Sequence, residues 1–374
     1  MKLSRKIITL VLFGLFTAPF TGFCQTEALK VVVNNLAYYK QHSELKYLAN
    51  AKKSVDSLIK TRKDSSNLGK NIYKAIVYSS IAYIDSTNKL NQPAEFFNQT
   101  ITLVSKLTKH KKIYKYQTEL DFSKRCLANV FIRNGFSQIR KLDFNSALTS
   151  FENAQTYAPN FGQINAYIAY ANTRAGHLPE AVKYYSAMLT ADSVRTEYVI
   201  AASNIYKTMG DTSKALDVVQ KGRKLLPAEK SLLLEEANIH NNKRDYKALE
   251  PMLKALLDAY AKDAQVFFIA ANCYDHLKQY DRAESLYLRS IELNTSSYDP
   301  VYNLGLLYLK QSAANKSYAD AEKNRLRAAQ WLQKAYEMAP KNVNTLKLLQ
   351  LIYAKNGNDV QLNNINSKLQ QLTN

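Results

Sequence analysis

The chain has 374 residues, 46% of them apolar, enough to fill a core of that size. Only 10 glycines and 8 prolines interrupt it, which leaves long helix-compatible stretches and excludes a low-complexity chain or a strand-dominated domain. Lysine and arginine outnumber the acids 51 to 31, a formal charge of +20 that favours acidic partners through long-range attraction.

The first residues, MKLSRK, are basic; IITLVLFGLFTAPF (7–20) is apolar; the small residues Gly22 and Cys24 precede Gln25. This is the pattern of a secretory signal peptide, residues 1–24, cut after Cys24. The apolar run is shorter than the roughly 20 residues that a membrane crossing needs. The alternative makes Cys24 the acylated first residue of a lipoprotein, which the bulky Phe23 disfavours. The mature chain is therefore expected to be exported, periplasmic or associated with a bacterial cell envelope, without a transmembrane segment. It keeps 48 basic and 31 acidic residues, a formal +17.

Residues 25–127 read as helices. AYYKQHSELKYLANAKKSVDSLIKTRK (37–63) has Leu45, Leu48, Val55, Leu58 and Ile59 at helical spacing, and 71–84 with 94–109 predicts a hairpin around a turn at Asn91 to Pro93. They read either as degenerate repeats that cap the amino end or as a separate small helical domain.

From residue 128 a period emerges: Ala147, Ala181 and Ala215 recur every 34 residues, each flanked by small or apolar residues at matching offsets. In the first unit Gly135 and Ala147 take the positions where two helices come closest, followed by Phe151, Ala154 and Pro159. The second carries Ala169, Ala181 and Tyr185, and the third Tyr206, Ala215, Gly222 and Pro227. A weaker fourth keeps Ala248, Met252 and Ala255 with Pro251 inside its second helix. The fifth has Ala271, Tyr274, Ala283 and Tyr287, and the sixth opens on Leu304, Gly305 and Tyr308 but resumes only at Ala328, Leu332, Ala335 and Pro340. The extra stretch is rich in helix formers and is expected to lengthen both helices.

These positions resemble the tetratricopeptide repeat (TPR) family. The resemblance implies an all-α fold, a right-handed α-solenoid of antiparallel helix pairs (TPR superhelix). The repeats fall at 128–161, 162–195, 196–228, a weak 229–263, 264–297 and 298–343 with an insertion at about 311–326, closed by capping helices at 344–374. The steric reason for the pattern is that antiparallel helices approach closely only where one side contributes no bulk. One hairpin cannot bury its apolar face alone, so neighbours supply the rest. Distant repeats of a solenoid do not touch, so Cys126 and Cys273 are expected to be buried thiols and not a disulfide.

In that family the inner surface comes from the first helix of each pair. Carried onto this chain, the inward positions are Asn129, Ile132, Phe136 and Arg140, then Gln163, Tyr167, Tyr170 and Arg174, then Glu197, Ile200, Asn204 and Lys207. Later units add His240 and Asn241, then Phe268, Asn272, Asp275 and His276, and finally Asp299, Tyr302 and Lys310. Rings interleaved with amides and cations suit an extended peptide; the same rings could equally pack between repeats, since tyrosine is intermediate in burial. The clamp that holds an acidic chaperone terminus is not expected, because Ile132, Ala166 and Ile200 stand where its first lysine belongs and Asn204 is an isolated match.

No chemistry competes with binding. The five histidines are scattered, without a His-Glu-x-x-His or Cys-x-x-Cys pair, and LGK at 68–70 lacks the rest of a phosphate-binding loop. There is no Gly-x-Ser-x-Gly elbow, and Asp275 and His276, adjacent in sequence, fall on different helix faces. The expectation is a non-enzymatic, cofactor-free and metal-free scaffold that holds a protein or peptide partner in its groove. The alternative is a basic module docking on anionic envelope lipid or glycan; nucleic acid is disfavoured by export.

Overall fold

The computed structural model describes residues 27–373 apart from 191 and 193; the expected signal peptide, with Cys24, lies outside them. The described residues are helical and contain no strand. They divide into two compact units, one ending at Met188 and the other starting at Leu189. The division follows the helix Leu178–Ala187, which has 10 residues where the equivalent helices Phe144–Tyr157 and Thr212–Leu225 have 14.

In the first unit α1 (Glu27–His42) pairs with α2 (Leu45–Ser57). The helix expected across 37–63 is broken because Ser43 takes φ +56°, and it ends before the single capped turn α3 (Arg62–Ser65). Next, α4 (Leu68–Ile84) packs against α2, against α5 (Phe96–Thr108) and against α6 (Gln117–Arg140). Their shared core holds Val32, Leu48, Val55, Ile72, Val104 and Leu127. Helix α6 runs for 24 residues, so the boundary placed at 128 falls inside it: no glycine, proline or capping side chain stops the helix there. Its second half pairs with α7 (Phe144–Tyr157), followed by α8 (Gln163–Ala175) and α9 (Leu178–Ala187), around Phe151, Ile164 and Ile168.

In the second unit α10 (Thr196–Thr208) pairs with α11 (Thr212–Leu225). The partner of α12 (Lys230–Asn242) is broken into α13 (Tyr246–Leu249), a 3-10 turn at Glu250–Met252 and α14 (Leu253–Ala259). Pro251 sits in that turn and cannot donate to the helical ladder. Helices α15 (Ala264–His276) and α16 (Tyr280–Leu293) restore the regular pair. The inserted residues then extend α17 (Tyr298–Ala314) and α18 (Tyr318–Met338) to 17 and 21 residues, before α19 (Val343–Lys355) and α20 (Asp359–Thr373).

The small residues sit where bulk has no room. A Cβ on Gly135 would stand 2.5 Å from the Phe151 ring, one on Gly222 2.6 Å from Val199, and one on Gly305 2.7 Å from Leu332. Ala147, Ala181, Ala215, Ala283 and Ala328 are fully buried. Cys126 and Cys273 lie in different units as free buried thiols, and burial pushes both up to about 12.

The turn inside the hairpin repeats with the same period. Leu142, Gly176, Gly210, Arg244 and Lys278, each 34 residues after the last, all adopt positive φ between 56° and 84°. An L side chain pays roughly 1–2 kcal/mol for that region, which glycine avoids. Leu142 is 70% exposed, so little burial is lost with its side chain. Leu142→Gly is therefore expected to raise stability by about 0.5–1 kcal/mol in urea denaturation; an unchanged or lower midpoint would contradict the strain.

Candidate functional site

The candidate site is the face of the first helices, and the two units build it differently. In the first unit α6 presents Asn129, Ile132, Phe136 and Arg140 on one stripe, and α8 presents Gln163, Tyr167, Tyr170 and Arg174 at the spacing that keeps them aligned. Phe136 meets Phe151 edge-on at 5.3 Å and Tyr167 at 4.8 Å between ring centroids. Both inward rings are thus half-buried parts of the contact between hairpins, a firm apolar bed and not open surface. Asn129 turns back on its own helix, its Nδ2 donating to the Arg125 carbonyl at 3.0 Å. Gln163 is half-buried, while Arg140, Tyr170 and Arg174 are exposed. Tyr170 is 40% exposed, and the Arg174 guanidinium lies 5.2 Å from the Phe144 ring centroid.

In the second unit several of the expected groove residues are engaged by other side chains of the protein. Lys207 pairs with Glu235 at 2.7 Å and Ser203 Oγ donates to the same carboxylate at 2.8 Å, which ties α10 to α12. Asn204 is exposed beside them and Ile200 is half-buried. Glu197 pairs loosely with Arg195 at 3.9 Å. His240, expected on the inner surface, is buried instead, near Glu236 and Asp245. Glu236 is held by Arg223 and by Gln220, so a polar cluster fills the space between α11 and α12.

A second tie joins α15, α16 and α17. The buried Tyr287 donates its hydroxyl to Asn272 Oδ1 at 2.7 Å, and Asn303 Nδ2 donates to the same oxygen at 3.1 Å. Lys310 pairs with Asp275 at 2.7 Å; Asp275 is 5% exposed, and its Oδ1 accepts no hydrogen bond from the protein. Burial and the neighbouring Asp275 charge raise the Tyr287 phenol well above its ordinary range, so it stays a donor. His276 points the other way and stacks on Tyr246 at 4.3 Å, which separates it from Asp275 as adjacent helical positions require. Desolvation and the Lys310 charge hold its imidazole below the ordinary value, partly offset by Asp275. Phe268 and Tyr302 are half-buried, the latter stacked on Tyr298, and Asp299 is exposed.

Sequence reasoning missed the partners of these ties. Tyr287 was legible only as a packing position, and nothing marked Glu235, Glu236 or Asn303. Long-range pairs between neighbouring first helices have no local pattern. The lengthened α17 and α18 also bound a cleft of about 650 Å³ with the α15–α16 turn, lined by residues including Lys278, Arg282, Gln311 and Asn324. Among the described residues no group of three His, Cys, Asp or Glu is placed to hold a metal ion, and no helix is long and apolar enough to cross a membrane.

Tyr287→Phe keeps the ring and removes the hydroxyl from the second tie. It should cost about 1–2 kcal/mol in urea denaturation with unchanged helix content; full stability would show the tie to be idle.

Neither a protein-family model nor a curated protein sequence matches the chain. Solved structures match parts of it. MamA, residues 41 to the end, from Desulfovibrio magneticus RS-1 is 18% identical with a TM-score of 0.41, over 49% of this chain and 98% of that one. A tetratricopeptide repeat protein from Parabacteroides merdae is 18% identical with a TM-score of 0.42, over 60% and 98%. YrrB, described as a TPR protein with an unusual peptide-binding site, is 20% identical with a TM-score of 0.45, over 53% and 96%. Likenesses of this size speak for neither a partner nor an activity.

Proposed function

We propose that the protein is a non-enzymatic scaffold that holds a segment of a partner protein on the α6–α8 face of its first unit. The observation that carries this reading is the division of labour on that face. Phe136, Phe151 and Tyr167 form a packed bed, while Arg140, Tyr170 and Arg174 of the same two helices are exposed. Rigid rings supply contact area at low entropic cost, and two guanidinium groups at one end favour carboxylates or backbone carbonyls of an extended segment. The inner face of the second unit has most of its polar groups engaged between helices, which suits stiffening more than capture.

Export completes the reading. The basic start, short apolar run and small residues before Gln25 support a leader removed after Cys24, with lipidation of Cys24 as the second route to the envelope. The partner is then an envelope protein.

The test is cross-linked capture from intact envelopes with Arg140→Ala/Tyr170→Ala/Arg174→Ala, which leaves the packed rings in place. Capture of the partner should fall roughly tenfold or more with the helical spectrum unchanged. Undiminished capture would remove the partner from this face. Tyr167→Ala is unsuitable, because it opens the contact between hairpins.

A further inference from the structure

The excess positive charge is concentrated on one edge of the first unit. The connection from α5 to α6, residues 109–116, reads KHKKIYKY, and residues 104–118 contain no acid. Lys106, Lys109, Lys111, Lys112 and Lys115 are all exposed. No carboxylate stands within ion-pair distance of any of them among the described residues. Such a run of like charges usually leaves a connection loose. Here it is held: Ile113 and Tyr116 pack into the core of the unit, and backbone bonds from Ile113 to His110 (2.9 Å) and Lys115 to Lys112 (3.3 Å) close a 3-10 turn.

The neighbouring connection adds to this edge. Both connections rest on the first turn of α4. Tyr116 lies against Gly69, whose Cβ would come within 3.1 Å of the phenol oxygen. Lys70 Nζ ties the other connection down through the Leu58 carbonyl (3.1 Å) and Asp64 (2.6 Å). Asp64 is the sole acid of residues 58–67 and is consumed by Lys70 and Thr61, which hold its carboxyl well below the ordinary range. Lys60, Arg62 and Lys63 remain exposed. Among these cations stands Tyr114, 69% exposed.

We propose that this edge docks on a bilayer surface carrying anionic phospholipid headgroups, an attachment that goes beyond the capture of a protein segment. Seven lysines with one arginine present compact point charges without the planar fork that reads phosphates or base edges bidentately. They lie on connections at the rim of the helices, where many headgroups can be met at once, and not along a groove that would follow a single strand. Tyr114 is the side chain that suits headgroup depth, with an apolar ring and a polar tip. Each lysine near such a surface adds attraction that salt screens over about 10 Å.

The experiment is co-sedimentation of the full chain with phosphatidylglycerol–phosphatidylcholine vesicles. Phosphatidylcholine vesicles register what the apolar amino-terminal segment contributes. Lys109→Glu/Lys111→Glu/Lys112→Glu/Lys115→Glu is compared with an equal charge change at Lys243, Lys247, Lys254 and Lys262, which are exposed in the second unit. The edge variant should lose the phosphatidylglycerol-dependent binding by about tenfold or more and the control by far less. Equal losses would make the binding a property of net charge and overturn the docking edge. So would binding without phosphatidylglycerol dependence, or a duplex DNA or acidic protein that displaces the vesicles and is itself lost in the edge variant. Tyr114→Ser alone keeps every charge and should weaken binding severalfold; no effect would take the ring out of the surface.

Discussion

The structure depends on a close approach between two helices that only the absence of a side chain permits. At Gly135, Gly222 and Gly305 a β-carbon would collide with Phe151, Val199 and Leu332. Dispersion falls off within an ångström of separation, so a hairpin held apart by a methyl group loses contacts along its whole seam. Phe151 is fully buried, and its burial contributes on the order of 2–3 kcal/mol only while that seam is closed. The same closure fixes where α6 and α8 stand, and with them Arg140, Tyr170 and Arg174.

Neighbouring first helices are held in two ways, and the choice decides what each unit can offer. Between α6 and α8 the holding is apolar, through Phe136 and Tyr167, which leaves polar side chains over for solvent. Between α10 and α12 and between α15 and α17 polar ties are added, through Lys207 with Glu235 and through Asn272, Asp275, Asn303 and Lys310. Polar ties of this kind specify register, because a shifted helix would strand a buried carboxylate such as Asp275 or Glu236 without its cation. They also consume the groups that would otherwise meet a partner.

The helical class and the repeat were legible because both rest on local chemistry. Alanines every 34 residues mark the seams, and the inserted stretch in the sixth unit forms helix because its composition favours it. The break at Ser43 was not legible, since a single positive φ in a continuous apolar pattern leaves no periodic trace. The same holds for the left-handed turn residue: Gly176 and Gly210 show it, but Leu142, Arg244 and Lys278 hide it behind ordinary side chains. On the stripe assigned to α6 and α8 the sequence could not say that Phe136 and Tyr167 would be consumed in packing while Tyr170 stayed out. His240 was misplaced because a helical wheel gives a direction and not the depth of the neighbour that covers it.

The steric core of the account is best measured by a double-mutant cycle at the first seam, with urea denaturation of the starting protein, Gly135→Ala, Phe151→Leu and the pair. Each single change should destabilise, the first by crowding the ring and the second by removing buried contacts, by about 1–3 kcal/mol. The pair should be more stable than the sum of the two by at least about 1 kcal/mol, because the smaller side chain leaves room for the new methyl group. Strict additivity would mean that the two positions do not meet, and the nesting of the hairpins would have to be explained some other way.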